Sequence, residues 1–320
     1  MTVADRSRGG LPPGRYAYFG PRGTFTEAAL RTLPLAPDSE PVPYASVPAA
    51  LEAVRTGDAA FAMVPIENSV EGGVPATLDE LATGEPLVVT REVLLPVRFA
   101  LMGRPGLKLE DVTSFGTFPH AEAQCRKWIA ENLPHATYQT AASTAAAAEA
   151  VANGTAPYDA ALSAPIAAAT YDLDVLVDGL GDNPHAVTRF VLVSRPVPPP
   201  LPTGADRTSI VLFIREDHPG ALLEILTELA VRGVNLTRIE SRPTGEGLGR
   251  YLFSIDLEGH VDEHAVGEAL MGLRRVCAET RYLGSYPRAK TSPTPASTSS
   301  DTTFREAHAW LSRVRERGNG

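Results

Sequence analysis

Cysteine is scarce in this sequence, and so is positive charge. Its two cysteines, Cys125 and Cys277, are too few and too far apart for a disulfide framework or a thiolate metal site. We expect both to be buried thiols in a reducing compartment. The 29 Lys and Arg residues against 38 Asp and Glu give a formal net charge of -9, which argues against a nucleic-acid partner.

Long apolar runs are also missing. No stretch approaches the ~20 apolar residues that a membrane span needs. The first residues, MTVADRSRGGLPPG, contain neither the apolar region nor the cleavage pattern of a secretion signal. We therefore expect a soluble, cytoplasmic protein with no membrane partner and a small-molecule ligand.

The length of 320 residues predicts about two domains. Strands and helices alternate over residues 15–195, which predicts an α/β domain with a largely parallel sheet. The expected strands are 15–19, 59–64, 87–95, 98–102, 160–162 and 187–193, and the expected helices follow the N-caps Thr24 and Ser46 or lie at 121–132 and 145–153.

A proline-rich stretch, 196–206, then predicts a stiff linker. Residues 207–287 follow the order βαββαβ, which is the ferredoxin-like motif. The final segment, 288–320, is expected to be a tail, disordered over 290–303 because it is rich in Ser, Thr and Pro. A short helix is expected after it, because Phe304, His308, Leu311 and Val314 share one helical face.

Three polar segments are candidates for chemistry. Gly20–Thr26 places hydroxyls at a helix start, which attracts carboxylates, but from this segment alone we favour a plain turn capped by Thr24. The segment 64–69, VPIENS, puts Asn68 and Ser69 after a buried strand, at the sheet edge where ligands bind, and here we favour function. Ser143 and Thr144 open an alanine-rich helix, and at least one of them is expected to cap it.

Other types of site find little support in the sequence. Gly72-Gly73 lacks the lysine and the spacing of a phosphate loop, so a nucleotide site is rejected. His260 and His264 have a zinc-like spacing but no third ligand in view, and no histidine has a partner that justifies a catalytic triad. Metal and nucleophile chemistry are therefore not expected.

The motifs GPRGTFTEAAL, VPIENSVEGGV, the Gln124-Cys125 helix, Ser143-Thr144 and VTRFVLV together resemble the successive motifs of the prephenate dehydratase family. GALL at 220–223 and ESRP at 240–243 resemble the phenylalanine-sensing ACT domain that follows in that family. The resemblance implies a two-lobed catalytic domain like type II periplasmic binding proteins and a ferredoxin-like ACT domain. It also implies conversion of prephenate to phenylpyruvate, water and carbon dioxide, without a cofactor.

The resemblance also implies the site residues. Thr188 corresponds to the catalytic threonine, whose hydroxyl could donate a hydrogen bond to the departing hydroxide as a general acid. Arg189 is the expected partner of a substrate carboxylate, and a structural ion pair is the alternative. The residues expected to bind substrate are Thr24, Asn68, Ser69, Thr144, Arg189 and Phe190.

The regulatory half of the resemblance implies feedback control by L-phenylalanine, bound between paired subunits of a homodimer or homotetramer. The expected effector contacts are Gly220, Ala221, Leu222, Leu223, Asn235, Glu240, Ser241, Arg242 and Pro243. Without the resemblance, Glu240 and Arg242 would be read as a solvated ion pair on a strand. The tail 288–320 is expected to be dispensable for dehydration.

This chain departs from the family pattern at one place. It has Thr117-Phe118-Pro119-His120 where the family commonly shows Ser-His-Pro-Gln, so no polar role of the family's His or Gln is carried over to this segment. A monofunctional enzyme is expected, because the chain has no room for a fused chorismate mutase domain. Two alternatives stay open: arogenate dehydratase, which acts on the transaminated substrate, and a non-catalytic amino-acid sensor built from the same folds.

Overall fold

The computed structural model describes residues 10–244, 251–289 and 298–317. These residues form two compact units. The first unit contains residues 10–77 and 93–193, and the second contains residues 78–92 together with the described residues from 194 onward. The segment 78–92 therefore belongs to the same compact unit as the C-terminal half, although it lies early in the chain.

The chain first builds a mixed sheet with helices between its strands. Its elements are β1 (Arg15–Phe19), α1 (Phe25–Arg31), β2 (Glu40–Tyr44), α2 (Val47–Thr56), β3 (Phe61–Asn68), β4 (Gly72–Gly73), α3 (Pro75–Thr83) and β5 (Val88–Pro96). Strand β1 pairs in parallel with β2 and β3, while β4 pairs antiparallel with β3. Thr24 and Ser46 cap α1 and α2 as predicted.

A second lobe of the first unit follows. Its elements are β6 (Phe99–Gly103), a 3₁₀ turn (Leu109–Asp111), β7 (Ser114–Thr117), α4 (Pro119–Gln124), α5 (Arg126–Asn132), β8 (Thr137–Thr140), α6 (Thr144–Asn153), β9 (Ala160–Ser163), α7 (Ile166–Tyr171) and β10 (Asp174–Leu180). The sheet order is β10-β6-β9-β7-β8, in which β7 runs parallel to β8 and β9, and β6 runs antiparallel to β9 and β10.

The chain then returns to the first lobe as β11 (Val187–Ser194), which completes the order β2-β1-β3-β11-β5. This return brings β11 next to β3, although the two strands are more than 100 residues apart in sequence. The apolar side chains of β1, α1, β3 and β11 form one core, which includes Tyr16, Leu30, Met63 and Leu192.

The two lobes of the first unit meet at the turn before α1. Gly23 has φ +78°, and a Cβ there would lie 3.1 Å from Ala167 Cα of α7. Tyr171 donates a hydrogen bond from its hydroxyl to the Arg22 carbonyl at 2.8 Å. A glycine is needed at position 23 because both the left-handed backbone and the close approach disfavour a side chain.

The second unit contains the expected βαββαβ order. Its elements are β12 (Asp206–Phe213), α8 (Ala221–Ala230), β13 (Leu236–Pro243), β14 (Tyr251–Glu258), α9 (His264–Val276) and β15 (Glu279–Pro287), followed by α10 (Thr298–Arg317). The antiparallel sheet has the order β13-β14-β12-β15, which leaves β13 at an edge. The prediction of an α/β domain followed by a ferredoxin-like domain is confirmed.

Three expectations about individual elements were wrong. The helix expected at 121–132 is two helices, because the backbone at Cys125 leaves the helical region with φ -119° and ψ 11°. The strand expected at 59–64 continues through Pro65 to Asn68, so Asn68 lies in the strand rather than in a turn after it. The largely parallel sheet is in fact two mixed sheets.

The tail also differs from the expectation. Residues 298–303, expected to be disordered, form the start of α10, while 290–297 lie outside the described residues. The apolar face that predicted this helix packs it on the domain core through Phe304, and His308 meets His264 of α9 with ring centroids 5.1 Å apart. The tail is therefore not isolated from the second unit.

Both cysteines are buried and free, as expected. Burial raises the pKa of Cys125 to about 12 and that of Cys277 to about 11, so both thiols are protonated at neutral pH. Among the described helices, none has the length and apolar character required to cross a bilayer.

Candidate functional site

The site is built around a hydrogen bond between β3 and β11. Asn68 donates from Nδ2 to Thr188 Oγ1 at 2.9 Å. Next to it, Ser69 N–H donates to the Val187 carbonyl at 2.9 Å, and Val187 N–H donates to Ser69 Oγ at 2.9 Å. The segments VPIENS and VTRF, separately singled out in the sequence, are thus joined through three hydrogen bonds.

The orientation of the Asn68 amide is determined by its other partners. Its Oδ1 accepts from Val70 N–H at 2.8 Å and from Glu71 N–H at 3.3 Å, so Nδ2 is the group that faces Thr188. Because Thr188 Oγ1 accepts from Asn68, its own hydroxyl proton can donate elsewhere. This arrangement suits a threonine that must donate to a substrate oxygen.

Arg189 and Phe190 have different surroundings from Thr188. Arg189 is 5 % exposed, and its Nε lies 3.5 Å from Glu67 Oε2. Phe190 is 2 % exposed and packs in the core with Tyr16, Leu30 and other apolar side chains. The structure thus shows the ion pair that was the alternative for Arg189, and it places Phe190 among core residues rather than at a polar surface.

The turn before α1 is stabilised by a hydrogen bond to the buried carboxylate of Glu27. Glu27 is 1 % exposed and accepts from Gly23 N–H at 2.6 Å, while Arg31 donates to it from Nε at 2.9 Å and from Nη2 at 2.6 Å. Burial, followed by the charge of Glu27, raises the pKa of the Tyr18 hydroxyl. From the sequence, Glu27 is predicted to complete a capping box with Thr24, three residues before it, whereas its burial has no local signal.

The two segments with hydroxyls at a helix start, Gly20–Thr26 and Ser143-Thr144, each contain the residue that caps the helix. Thr24 Oγ1 accepts from Glu27 N–H at 3.3 Å and donates to the Phe19 carbonyl at 3.2 Å. Ser143 Oγ accepts from Ala146 N–H at 3.0 Å and therefore caps α6. Thr144, the first residue of α6, is half-buried beside it. Capping is thus the observed role of Thr24 and Ser143, whereas Thr144 is free of that role.

His120, at the departure from the family pattern, has a specific partner. Its Nδ1 lies 2.8 Å from Glu71 Oε2, and its ring lies 5.3 Å from that of Phe118. Glu71 belongs to the turn that follows Asn68, and His120 belongs to α4 of the other lobe. This pair, which sequence reasoning missed, connects the two lobes next to the Asn68–Thr188 hydrogen bond.

The first of the two effector motifs lies at the start of α8. Gly220 has φ +96°, which favours glycine, and its carbonyl accepts from Glu224 N–H at 2.9 Å. Leu222 and Leu223 are 39 % and 66 % exposed. A cavity of about 280 Å³ adjoins Ala221, and it is lined by residues that include His218, Glu224 and Cys277.

His218 was not singled out by the sequence, yet it lines this cavity. Its Nε2 lies 3.1 Å from Glu224 Oε1, and its Nδ1 lies 3.1 Å from the Glu216 carbonyl. The hydrogen bond to Glu224, supported by that to Glu216, raises the pKa of His218 above its ordinary value. The DHPG turn that precedes α8 is the signal that could have identified it.

The second effector motif lies on the edge strand β13. Its exposed and half-buried residues alternate, so Glu240 and Arg242 share one face while Ser241 and Pro243 are exposed on the other. Arg242 Nη1 lies 3.7 Å from Glu240 Oε1, which is the ion pair expected without the resemblance. Asn235 donates from Nδ2 to Glu258 Oε2 at 2.9 Å.

Arg242 also has a partner outside the motif. It donates from Nε to Asp79 Oδ1 at 2.6 Å and from Nη2 to Asp79 Oδ2 at 2.7 Å. The hydrogen bonding to Asp79, followed by the negative charges of Asp79 and Glu240, raises the pKa of the Arg242 guanidinium. Asp79 lies in α3, a helix that sequence reasoning did not identify.

Comparison with known proteins agrees with the motifs. The family model for prephenate dehydratase matches residues 16–198, and the model for the ACT domain matches residues 209–275. A prephenate dehydratase of Mycobacterium marinum is 49% identical over 313 residues, covering 94% of this chain and 96% of its own. One of Mycobacterium tuberculosis strain H37Rv is 50% identical over 309 residues, with 94% of each chain covered.

A solved structure resembles this chain in both fold and sequence. The crystal structure of prephenate dehydratase from Arthrobacter aurescens, in complex with L-Phe, has a TM-score of 0.88 and 53% identity, covering 94% of this chain and 99% of its own. Family models, relatives and fold agree over nearly the whole chain. The chain belongs to the prephenate dehydratase family, and it carries an ACT domain after the catalytic region.

Proposed function

We propose that this chain converts prephenate to phenylpyruvate, with loss of water and carbon dioxide, and that L-phenylalanine inhibits it through the ACT domain. The observation that carries the proposal is the hydrogen bond from Asn68 to Thr188, which joins two family motifs and leaves the threonine proton available. The relatives named for this activity support the substrate, and the relative with bound L-Phe supports the effector.

The reaction needs a proton donor for one leaving group. The bond between the ring and its carboxylate breaks, and its electron pair enters the ring as carbon dioxide departs. The ring C–O bond then breaks with its electron pair on oxygen, and a proton shared from Thr188 lets that oxygen leave as water. The ring becomes aromatic, which provides the driving force. Solvent returns the proton to Thr188.

Threonine is a weak acid, so its effectiveness as a proton donor has to come from its fixed position next to the leaving oxygen. In a closed cleft a preorganised donor is worth several times its value in water, because it needs no reorganisation as charge develops. Asn68 donates to a lone pair of Thr188 Oγ1. We infer that this hydrogen bond leaves the hydroxyl proton of Thr188 directed toward prephenate. Ser69 exchanges two hydrogen bonds with the backbone of Val187, and we infer that these bonds keep β3 and β11 in register during the reaction.

The other candidate residues divide into contacts and supports. Thr144 is half-buried at the start of α6, where backbone N–H groups favour a carboxylate, and we propose that it meets a substrate carboxylate. We infer that Thr24 positions the Gly20–Thr26 turn as its cap. Arg189, through Glu67, and Phe190, in the core, are inferred to hold β11 in place rather than to touch the substrate.

The regulatory proposal rests on exposed surfaces of the ACT domain. Strand β13 is an edge strand with Ile239 39 % exposed, and α8 exposes Leu223. We propose that these surfaces pair two subunits of a homodimer or homotetramer, and that L-phenylalanine binds between Gly220–Leu223 of one and Glu240–Pro243 of the other. We also propose a cytoplasmic location, where its substrate would be available.

Arogenate is the alternative substrate, and it differs from prephenate only in bearing an amino group where prephenate has a keto group. The full chain is incubated with each compound in turn, and phenylpyruvate or phenylalanine is measured by ultraviolet absorbance or chromatography. We expect kcat/KM to be at least about tenfold higher for prephenate, which a single misplaced polar group can produce. A preference for arogenate would assign the second substrate, and turnover of neither would favour a sensor without catalysis.

A further inference from the structure

The helix α3 links the catalytic motif to the ACT domain. Its first residues follow VPIENSVEGGV directly, and its residues from Leu78 onward belong to the same compact unit as the ACT domain. One rigid helix therefore contains residues of both units. A displacement applied to one end of an α-helix is carried to the other, because its backbone hydrogen bonds keep it stiff.

The start of α3 is attached to β3 close to the site. Thr77 donates from Oγ1 to the Pro65 carbonyl at 2.5 Å, and Val74 N–H donates to the Ile66 carbonyl at 2.9 Å. Thr77 is fully buried. Since Asn68 follows Pro65 by three residues in the same strand, a shift of α3 acts on the segment that positions Thr188.

The remainder of α3 is held by two arginines of the ACT domain. Arg242 forms a bidentate ion pair with Asp79 through the two hydrogen bonds described above. This geometry makes arginine–carboxylate pairs both strong and specific in orientation. Arg281 of β15 donates from Nη1 to the Gly84 carbonyl at 2.6 Å and to the Leu81 carbonyl at 3.5 Å. A cation at the carbonyl end of a helix also interacts favourably with its dipole.

We propose that the Asp79–Arg242 ion pair is the coupling contact that transmits effector occupancy from the ESRP motif through α3 to Asn68 and Thr188. The inference rests on the proposed inhibition by L-phenylalanine. Arg242 is both a residue of the effector motif and the partner of Asp79. A ligand that displaces Arg242 therefore also displaces α3 through Asp79. The displacement of α3 shifts β3 through Thr77, and with it the position of Asn68.

Asp79 is the residue to change, because Arg242 itself lies in the proposed effector site. Asp79→Asn keeps the size of the side chain and removes the charge that holds the guanidinium. Asp178→Asn is the matched control: Asp178 also pairs with an arginine, Arg98, and its side chain is 50% exposed against 51% for Asp79. Neither aspartate belongs to the catalytic or effector contacts.

The full-length variants are assayed for prephenate turnover with and without saturating L-phenylalanine, and L-phenylalanine binding is measured by calorimetry. We expect Asp79→Asn to keep basal kcat and KM and to bind L-phenylalanine with unchanged stoichiometry. The factor by which L-phenylalanine lowers kcat/KM should shrink by about two- to fivefold, the range that a partly exposed bidentate pair can supply. Asp178→Asn should behave as the wild type. Arg281→Gln, which releases the other hold on α3, should shrink the factor in the same direction.

Several results would overturn the proposal. Full inhibition of Asp79→Asn by L-phenylalanine would show that the pair carries no coupling. Loss of L-phenylalanine binding would place Asp79 in the ligand site instead, and loss of basal activity with an unchanged melting temperature would place it in catalysis. A wild-type enzyme that ignores L-phenylalanine would refute the regulatory function itself, before any variant is measured.

Discussion

The hydroxyl of Thr188 is the group on which the proposed chemistry depends most. Replacing Thr188 by valine removes this hydroxyl and keeps the branched shape, so the buried strand β11 should keep its packing. One hydrogen-bond donor to the leaving oxygen is then lost. Loss of one such preorganised donor costs about 10² to 10³ in kcat, which corresponds to about 2.7 to 4 kcal/mol of transition-state stabilisation.

The structure predicts how this loss divides between binding and turnover. The donor matters as the C–O bond breaks, so KM should change little while kcat falls. Asn68 Nδ2 loses its acceptor in the variant, but Asn68 is only half-buried, so water can replace the lost partner. The melting temperature should therefore stay close to that of the wild type.

The assay is the initial rate of phenylpyruvate formation by ultraviolet absorbance, with thermal denaturation run on the same samples. Thr188→Ser is the matched control, because it restores the hydroxyl in nearly the same place. We expect the serine variant to recover most of the activity. Near-normal kcat in the valine variant, or a serine variant as slow as the valine variant, would refute the role given to Thr188.

Three further predictions concern the surroundings of the site and the tail. Asn68→Asp places an acceptor-only carboxylate against the Thr188 hydroxyl, which then donates its hydrogen bond to the carboxylate instead of to the leaving oxygen, so kcat should fall further than in Asn68→Ala; equal rates would contradict this. Gly23→Ala should lower the free energy of unfolding in urea by about 1 to 3 kcal/mol, and by more than Gly106→Ala, which has φ +89° but open space around it. Phe304→Ala should lower the free energy of unfolding by about 1 to 3 kcal/mol because this half-buried ring packs on the domain core, and an unchanged melting temperature would show that this contact does not stabilise the domain.

Much of the fold could be predicted because its signals are local. Thr24 and Ser46 cap helices through side chains that lie within three residues of their partners, and the βαββαβ order follows from apolar periodicity. The family resemblance named both Asn68 and Thr188 as site residues, but the hydrogen bond between them depends on the pairing of β3 with β11, which are distant in sequence. Local patterns therefore predicted most of the elements, and the motifs singled out two segments that the structure brings together.

The features that were missed depend on contacts between distant segments. Arg242 and Asp79 are 163 residues apart, and neither has a neighbour in sequence that signals the other. The sequence predicts for Glu27 only a role in the capping box, whereas in the structure it is buried and accepts hydrogen bonds from Arg31. The membership of Leu78–Glu92 in the second unit is likewise invisible in the sequence. It also means that a chain cut at Ser194 would leave this segment without its partners, so point variants test regulation more cleanly.

The central claim is tested most directly by the products that the purified full-length chain forms from prephenate. Phenylpyruvate is measured by ultraviolet absorbance and carbon dioxide by gas analysis, with a sample of Thr188→Val alongside to measure the background. The account predicts equimolar phenylpyruvate and carbon dioxide from the wild type, and a rate reduced by about 10² to 10³ in the variant. Absence of either product, or equal rates in the two samples, would contradict it.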